Sequence, residues 1–217
     1  MSKKISRKVT IFVLRRLNSG IEILLINHPH TAYQFPAGTI KRDEDPRTAC
    51  LREVNEETGL DDLEIVTEIE PRIKEYTRYG RLIKKAKLYA RPTKYTTSFG
   101  KLRSGMKVKI LQTQDEFSQI QYKERDLLDP SKPVMLHLKG WIKQSKLARK
   151  EIRYFYVVKS SDIQKFPWMV IADHHKFTLE WHPLQSVVER TVKLAGKQRQ
   201  WFNRCKNEIE AALSVVS

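Results

Sequence analysis

The segment Gly38–Leu60, which reads GTIKRDEDPRTACLREVNEETGL, constrains the fold of this 217-residue chain more than any other. Its middle part predicts a helix from Pro46 to Thr58. Asp45 can accept hydrogen bonds from the free amide groups of the first turn, and proline suits the first helical position because its missing amide hydrogen would be unpaired there. Gly59 ends the helical pattern, since glycine readily adopts the left-handed conformation found at helix C-termini. The segment therefore predicts a loop, a helix and a second loop.

Three carboxylates lie close together along this predicted helix. At 3.6 residues per turn, Glu53, Glu56 and Glu57 fall within an arc of about 100°, and Cys50 and Val54 occupy the neighbouring arc that would pack into the protein. Like charges at these spacings cost about 0.2–0.5 kcal/mol per pair, and the helix dipole disfavours negative charge in the last turns. A hard divalent cation, Mg²⁺ or Mn²⁺, would compensate for both effects because it prefers oxygen ligands. The alternative is an acidic helix face that is simply solvated.

The complete pattern resembles the Nudix box of the Nudix hydrolases. The positions that match are Gly38, Glu44, Arg52-Glu53-Val54, Glu56-Glu57 and Thr58-Gly59-Leu60. Average residue frequencies give a chance occurrence in roughly one of ten million chains of this length, which favours the resemblance over the solvated face. The predicted hairpin over residues 8–27 and the closing helix at about Lys197–Val215 are also similar to that family. The resemblance implies an α+β fold, an α/β/α sandwich with a mixed β-sheet.

The resemblance also implies an activity and a metal site. Nudix hydrolases cleave a nucleoside diphosphate linked to another group, by attack of water on a phosphorus of the pyrophosphate. By this resemblance Glu53, Glu56, Glu57 and the backbone carbonyl of Ala37 hold Mg²⁺ or Mn²⁺. Such ions neutralise charge on phosphoryl oxygens and make hydroxide available near neutral pH.

Other roles within the box follow from the same resemblance. Glu44 and Arg52 are expected to orient the carboxylates, and Gly38 is expected in the phosphate loop. The expected catalytic residues are Arg52, Glu53 and Glu56, with Glu53 as the candidate general base.

Candidates outside the helix are less closely defined. Lys41 and Arg42 stand where the commoner box has a Glu-Pro-Gly-Glu-like run, so this basic pair either contacts a highly charged substrate or decorates the surface. Asp173 is the candidate for an additional base, because relatives often place one just before the corresponding strand, and Glu180 is the second choice. The competing interpretation of the segment around Asp173 is a polar turn.

The residues after the box bear on the substrate. Tyr76 lies 16 residues beyond Leu60, and dinucleoside polyphosphate hydrolases of the family often carry a tyrosine near there. Tyr76 and Arg78 are therefore candidate substrate-binding residues, and an exposed tyrosine could stack on a base. The competing interpretation is a tyrosine in the core or on a sheet face. Together with the net charge of +16, these residues slightly favour substrates with many phosphates, such as dinucleoside polyphosphates.

The positive charge is concentrated in one region. Pro92–Lys150 contains 13 Lys and Arg against 5 Asp and Glu, which favours polyanionic partners or serves solubility. We expect a single domain over residues 1–217 with this region as a basic insertion, including a helix around Asp115–Leu128. The alternative function is a catalytically weak Nudix-like module that binds RNA or another polyanion through the insertion.

The remaining composition indicates the class of protein. No apolar stretch approaches the roughly 20 residues of a membrane-spanning helix, and the chain has only two cysteines, Cys50 and Cys205. We therefore expect a soluble, cytoplasmic protein without a membrane partner. The family resemblance allows a homodimer.

Overall fold

The structure, a computed structural model, describes residues 4–27, 32–124, 136–161, 167–172 and 175–216. The chain divides into two compact units. Arg7–Arg72 and Arg153–Ser217 form the unit that contains the predicted helix, which we call the box unit. Met1–Ser6 and Ile73–Ile152 form the other, which we call the inserted unit.

The described residues form fifteen strands, three α-helices and a 3-10 turn at Gln144–Lys146. The first nine strands are β1 (Ile5–Leu17), β2 (Gly20–Asn27), β3 (Tyr33–Gln34), β4 (Ala37–Thr39), β5 (Leu63–Glu75), β6 (Tyr79–Leu82), β7 (Ala86–Tyr89), β8 (Ser98–Leu102) and β9 (Lys107–Gln114). The others are β10 (Phe117–Glu124), β11 (Leu136–Lys143), β12 (Leu147–Ala148), β13 (Lys150–Ser160), β14 (Trp168–Ala172) and β15 (His175–Pro183). The helices are α1 (Pro46–Thr58), α2 (Leu184–Val188) and α3 (Gln198–Ala212). Within the described ranges, no helix is both long and apolar enough to cross a membrane.

An eight-stranded sheet forms the centre of the box unit. Its strand order is β14-β15-β2-β1-β13-β5, with β3 paired to β2 and β4 paired to β1. Successive side chains of a strand point to opposite faces, so the central strand β1 supplies two cores. Phe12 and Leu14 pack with α3 on one face, and Ile11 and Val13 pack with α1 on the other. This arrangement of a sheet between helices confirms the predicted α+β sandwich.

Two local predictions for the box unit are confirmed. β1 and β2 form an antiparallel hairpin in which Leu17 pairs with Gly20, and Gly20 has a φ of 126° that suits glycine at the turn. The closing helix α3 buries Phe202, Cys205 and Ile209 along one stripe, as expected for an amphipathic helix that packs on a sheet.

The inserted unit is a second sheet with its own core. Its strand order is β12-β6-β9-β10-β11-β7-β8, and its buried side chains include Leu82, Leu88, Val108 and Ile120. The sequence predicts an insertion that starts at Pro92. The unit begins earlier, at Ile73, because β6 pairs with β9 and β7 pairs with β8 and β11.

The predicted helix around Asp115–Leu128 is wrong over its described part. Phe117–Glu124 is the strand β10, which pairs with β9 on one side and β11 on the other. Asp115 has a φ of 47° and lies in the short turn between β9 and β10. From Ser118 to Gln121, buried Ser118 and Ile120 alternate with the less buried Gln119 and Gln121, which is the two-residue period of a strand.

Candidate active site

The two ends of α1 are fixed by the residues that the sequence indicates. The carboxylate of Asp45 accepts hydrogen bonds from the backbone amides of Arg47 at 2.8 Å and Thr48 at 3.4 Å. Gly59 follows the last turn with a φ of 79°, and its amide donates to the carbonyl oxygen of Asn55 at 2.8 Å. These contacts satisfy backbone groups that a helix end leaves unpaired. Both predicted helix ends are confirmed.

The buried side of α1 determines which side chains point outward. Ala49, Cys50, Val54 and Thr58 are buried, and burial raises the pKa of the Cys50 thiol to about 12. Cys50 therefore packs as a small neutral side chain. Because this side is held against the sheet, the carboxylates of the helix are directed towards the loop over residues 37–44.

Arg52 connects this loop to the helix. Its Nε and Nη2 donate to the two oxygens of Glu44 at 2.7 and 3.0 Å, and its Nη1 lies 2.8 Å from Glu56 and 2.9 Å from Glu53. The backbone amide of Lys41 donates to Glu44 at 2.7 Å. The hydrogen bond from Arg52, with that from Lys41, holds the pKa of Glu44 at about 2. These carboxylates, Glu44 above all, raise the pKa of the Arg52 guanidinium, so Arg52 and Glu44 form an ionised pair.

Glu53 lies directly against Gly38. A Cβ atom at position 38 would lie 1.8 Å from Cδ of Glu53 and 2.0–2.2 Å from its two oxygens. Oε1 of Glu53 also accepts a hydrogen bond from the amide of Thr39 at 3.1 Å. Burial raises the pKa of Glu53, while the ion pair with Arg52 acts in the opposite direction. Position 38 therefore requires glycine because the carboxylate occupies the place of a side chain.

Glu57 contacts the start of the same loop and borders a cavity. The amide of Ala37 donates to Oε2 of Glu57 at 2.9 Å, and Ala37 is itself held by pairing with Thr10 of β1. The cavity beside this contact has a volume of about 100 Å³. Its walls are mostly apolar, and the residues that line it are Ile26, Gln34, Phe35, Ala37, Glu57 and Phe177.

Glu56 is the most exposed of the three carboxylates on α1. Its side chain is 52% exposed, against 12% for Glu53, and Lys41 Nζ lies 3.5 Å from its Oε1. Across the described ranges, no three acidic, histidine or cysteine side chains already converge as a metal-binding group. Each carboxylate of α1 instead faces an N–H donor of the protein, and the set supplies the oxygen donors that Mg²⁺ and Mn²⁺ prefer.

The basic pair and the additional carboxylates have different positions. Lys41 contacts Glu56, as described, whereas Arg42 is 92% exposed and lies 3.6 Å from Asp43. Asp173 lies outside the described residues. Glu180 accepts hydrogen bonds from Tyr33 at 2.7 Å and from Asn27 at 3.4 Å. These partners make Glu180 part of a polar cluster beside β2 and β3.

The two candidate substrate-binding residues after the box belong to the inserted unit. Tyr76 is 8% exposed, its hydroxyl donates to Glu151 at 3.4 Å, and Lys74 Nζ lies 5.2 Å from its ring centroid. Burial raises the pKa of Tyr76. This position matches the core interpretation of the sequence analysis. Arg78 is exposed, and its carbonyl accepts a hydrogen bond from Ile110.

Several residues of the site carry no signal in the sequence. Phe177, Ile26 and Gln34 line the cavity beside Glu57, but they read as ordinary strand residues. They meet because β15, β2 and β3 are neighbours in the sheet. Strand order is a non-local property, so pattern analysis could place these residues on strands but not around one cavity.

Comparisons with known proteins agree with the sequence motif. A family model described as the NUDIX domain matches residues 6–133, more than half of the chain. The protein described as Nudix hydrolase 25 of Arabidopsis thaliana is 50% identical over 38 residues, which span 18% of this chain and 22% of that relative.

Two solved structures align with most of the chain at low identity. A C. elegans Ap4A hydrolase binary complex aligns at 12% identity and a TM-score of 0.44, covering 95% of this chain and 98% of the other. The NUDIX domain of Shewanella oneidensis NrtR complexed with ADP ribose aligns at 14% identity and a TM-score of 0.44, covering 96% and 90%. TM-scores below 0.5 do not establish a common fold, so the family model carries the comparison.

Proposed function

The chain belongs to the NUDIX family, and we propose that it is a metal-dependent pyrophosphohydrolase that cleaves a nucleoside diphosphate linked to another group. The observation that carries this proposal is the network between the loop and α1. Arg52 joins Glu44 to Glu53 and Glu56, and Gly38 leaves the space that Glu53 occupies. A solvated acidic face would need neither feature.

The residues present fit a divalent cation in their chemistry and placement. Glu53, Glu56, Glu57 and the carbonyl of Ala37 would hold Mg²⁺ or Mn²⁺, and all are oxygen donors on α1 or the adjoining loop. A bound cation supplies positive charge for the phosphoryl oxygens and lowers the pKa of a coordinated water. The carboxylates now face Arg52 and backbone amides, so binding a cation requires them to exchange partners.

Arg52 and the loop amides position the reacting groups. Glu53 is the proposed general base, because the amide of Thr39 and Arg52 both hold its Oε1 and so fix the orientation of the carboxylate. In the proposed step, the oxygen of water bonds to phosphorus and its proton passes to Glu53. The bond between phosphorus and the bridging oxygen breaks, and the bridging oxygen leaves with the second phosphate.

The part of the substrate beyond the phosphates is proposed to contact the cavity beside Glu57. Its apolar walls, Phe177, Ile26 and Phe35, suit a flat ring rather than a phosphate. Lys41 and Arg42 would favour substrates with several phosphates, such as dinucleoside polyphosphates. Tyr76 no longer supports that preference, because its ring is buried in the inserted unit.

The decisive experiment is a panel of nucleotide substrates assayed with Mg²⁺ and with Mn²⁺ in H₂¹⁸O, with products identified by mass spectrometry. We expect two phosphate-containing products with ¹⁸O on one of them, which identifies the phosphorus that is attacked. Glu56→Gln should abolish turnover. Glu64→Gln is the matched control, because it removes the same charge at an exposed position of the box unit outside the loop network. Turnover that survives Glu56→Gln would contradict the assigned site.

A catalytically weak module that binds RNA or another polyanion is the second candidate function. The observation that favours it is the concentration of positive charge in residues 73–152, which contain 20 Lys and Arg but only 7 Asp and Glu. The full set of carboxylates on α1 favours hydrolysis, because a pure binding module has no need for the Arg52 network. Tight RNA binding with no turnover on the whole panel would establish the module instead.

A further inference from the structure

Most of the positive charge of the chain lies in the inserted unit. Residues 73–152 have a net charge of +13, whereas the whole chain has +16. An excess of this size attracts polyanions over a distance of about one Debye length. The distribution of these charges on the surface therefore indicates where a partner binds.

One face of the inserted sheet presents a row across four strands. Tyr79 of β6 lies opposite Lys109 of β9, Lys109 lies opposite Gln121 of β10, and Gln121 lies opposite Lys139 of β11. Residues directly opposite one another in antiparallel strands point to the same face. Val108, which alternates with these residues, is fully buried in the core of the unit, so the row lies on the outer face.

A second row continues the same face. Lys107 lies opposite Arg81, and Lys123 lies opposite His137. Both lysines are two residues from members of the first row on their strands, so they share its face. His137 also hydrogen-bonds to Gln121 at 2.7 Å between the two Nε2 atoms. We call the surface formed by the two rows the lysine face; its members are Tyr79, Lys107, Lys109, Gln121, Lys123 and Lys139.

The ion pairs of the described acidic side chains of the unit do not include the lysines of this face. Glu75 pairs with Lys150, Glu116 pairs with Lys143, and Glu151 pairs with Arg81. In the part of the chain that the structure describes, no ion pair involves a lysine of the lysine face. Lys107 and Arg81 lie directly opposite one another, where like charges are destabilising, and a local rule is usually broken where a surface has a function.

Tyr79 adds an aromatic group to the cations. Its side chain is 40% exposed, and Lys107 Nζ lies 4.2 Å from the centroid of its ring. An exposed ring beside an ammonium group can stack on a base while the ammonium group binds the neighbouring phosphate. Gln121 supplies hydrogen-bonding groups in the same row.

We propose that the lysine face binds single-stranded nucleic acid, with its lysines on the phosphates and Tyr79 against an unpaired base. A single strand fits better than a duplex, because the bases of a duplex are stacked on one another and offer no face to Tyr79. The proposal concerns a surface of the inserted unit and does not depend on hydrolysis by the box unit.

The test measures binding of fluorescein-labelled 12-nucleotide single strands of RNA and DNA to the full chain in EDTA, so that hydrolysis cannot contribute. Four phosphate contacts give a slope of about −2.8 for the logarithm of affinity against the logarithm of salt, so affinity should fall about 50-fold between 50 and 200 mM salt. The variant K107Q/K109Q/K123Q/K139Q should bind at least about 50-fold more weakly and lose most of that slope.

The matched control is K84Q/K85Q/K94Q/R103Q, which removes the same charge from exposed positions of the same unit that lie outside its strands. We expect it to bind within about threefold of the unmodified chain. Equal losses in the two quadruple variants would overturn the proposal, because binding would then depend on total charge and not on the face.

Two further measurements test the aromatic contact and the type of partner. Tyr79→Ala should weaken binding about 5- to 150-fold while Tyr79→Phe retains it, and equal binding by both variants and the unmodified chain would refute the stacking. Comparing the affinities for RNA and for DNA shows whether the face binds both kinds of single strand or prefers one of them. Equal affinity for a duplex of the same sequence, or equal competition by polyglutamate, would overturn the proposal.

Discussion

Substitution of Gly38 by alanine tests whether the close approach of Glu53 to the loop is required for the site. The new Cβ would lie 1.8–2.2 Å from the carboxylate of Glu53, so the carboxylate must move. Position 38 has no positive φ, and the alanine backbone is therefore unstrained. Glu53 would lose its hydrogen bond from Thr39, and bonds to charged groups contribute about 1.5–3 kcal/mol. Alanine in place of glycine also stabilises the protein by about 0.4–1 kcal/mol, because it reduces the conformational entropy of the unfolded chain.

The expected result is a loss of about 0.5–2.5 kcal/mol in the free energy of unfolding, measured by urea denaturation in EDTA. Because the displaced carboxylate is the proposed base, kcat/KM should fall about 100-fold. In a Glu53→Ala background the carboxylate that occupies this space is gone, so Gly38→Ala should become neutral or slightly stabilising there. Gly59→Ala is the contrasting control, since its φ of 79° strains alanine although no atom crowds the site. Additive effects of Gly38→Ala and Glu53→Ala, or full activity of Gly38→Ala, would refute this account.

Three other predictions concern the same unit. Millimolar Mg²⁺ or Mn²⁺ should raise the Tm, and the double variant Glu56→Gln, Glu57→Gln should abolish that response; an unchanged response by calorimetry would count against the metal site. Because the pKa of Glu44 is lowered to about 2 in the folded protein, its stabilising effect is complete above about pH 4.5 and is lost as the pH falls towards 2. The difference in unfolding free energy between the unmodified chain and Glu44→Gln should therefore shrink over that interval, and a constant difference would refute the ion pair. Cys50 and Cys205 are fully buried, and their pKa values are raised to about 12, so a thiol reagent at pH 8 should modify neither before unfolding and both after it.

The parts of the fold that the sequence predicts are those fixed by neighbouring residues. Asp45, Pro46 and Gly59 determine where α1 begins and ends through contacts within a few positions. The stripe of α3 is also local, because a helical repeat brings Phe202 and Cys205 to one side whatever they pack against. Such signals persist because each element would bury the same face in many arrangements.

The parts that the sequence does not predict depend on strand pairing across long separations. Residues 73–91 join the inserted sheet, because β6 pairs with β9 and β7 pairs with β8. Tyr76 shows the same difficulty in the candidate site. Its spacing from the box suggested contact with a substrate, but the packing of the inserted unit places its hydroxyl on Glu151. The number of residues between two positions predicts where they lie relative to each other only when both belong to the same helix or strand.

The structure also changes the argument about charge repulsion on α1. The sequence alone suggests a divalent cation as the compensation for the repulsion among Glu53, Glu56 and Glu57. In the folded chain Arg52 lies between two of them, and the amide of Ala37 binds the third. The protein therefore stabilises its own carboxylates before any metal arrives, and it holds them near the loop. Under the proposed function, a cation would compete with these donors for the carboxylates, which would lower its affinity, but the carboxylates would need little further ordering. Substrate phosphates would supply further oxygen donors, so under the proposed function we expect a divalent cation to bind more tightly with substrate present than to the protein alone.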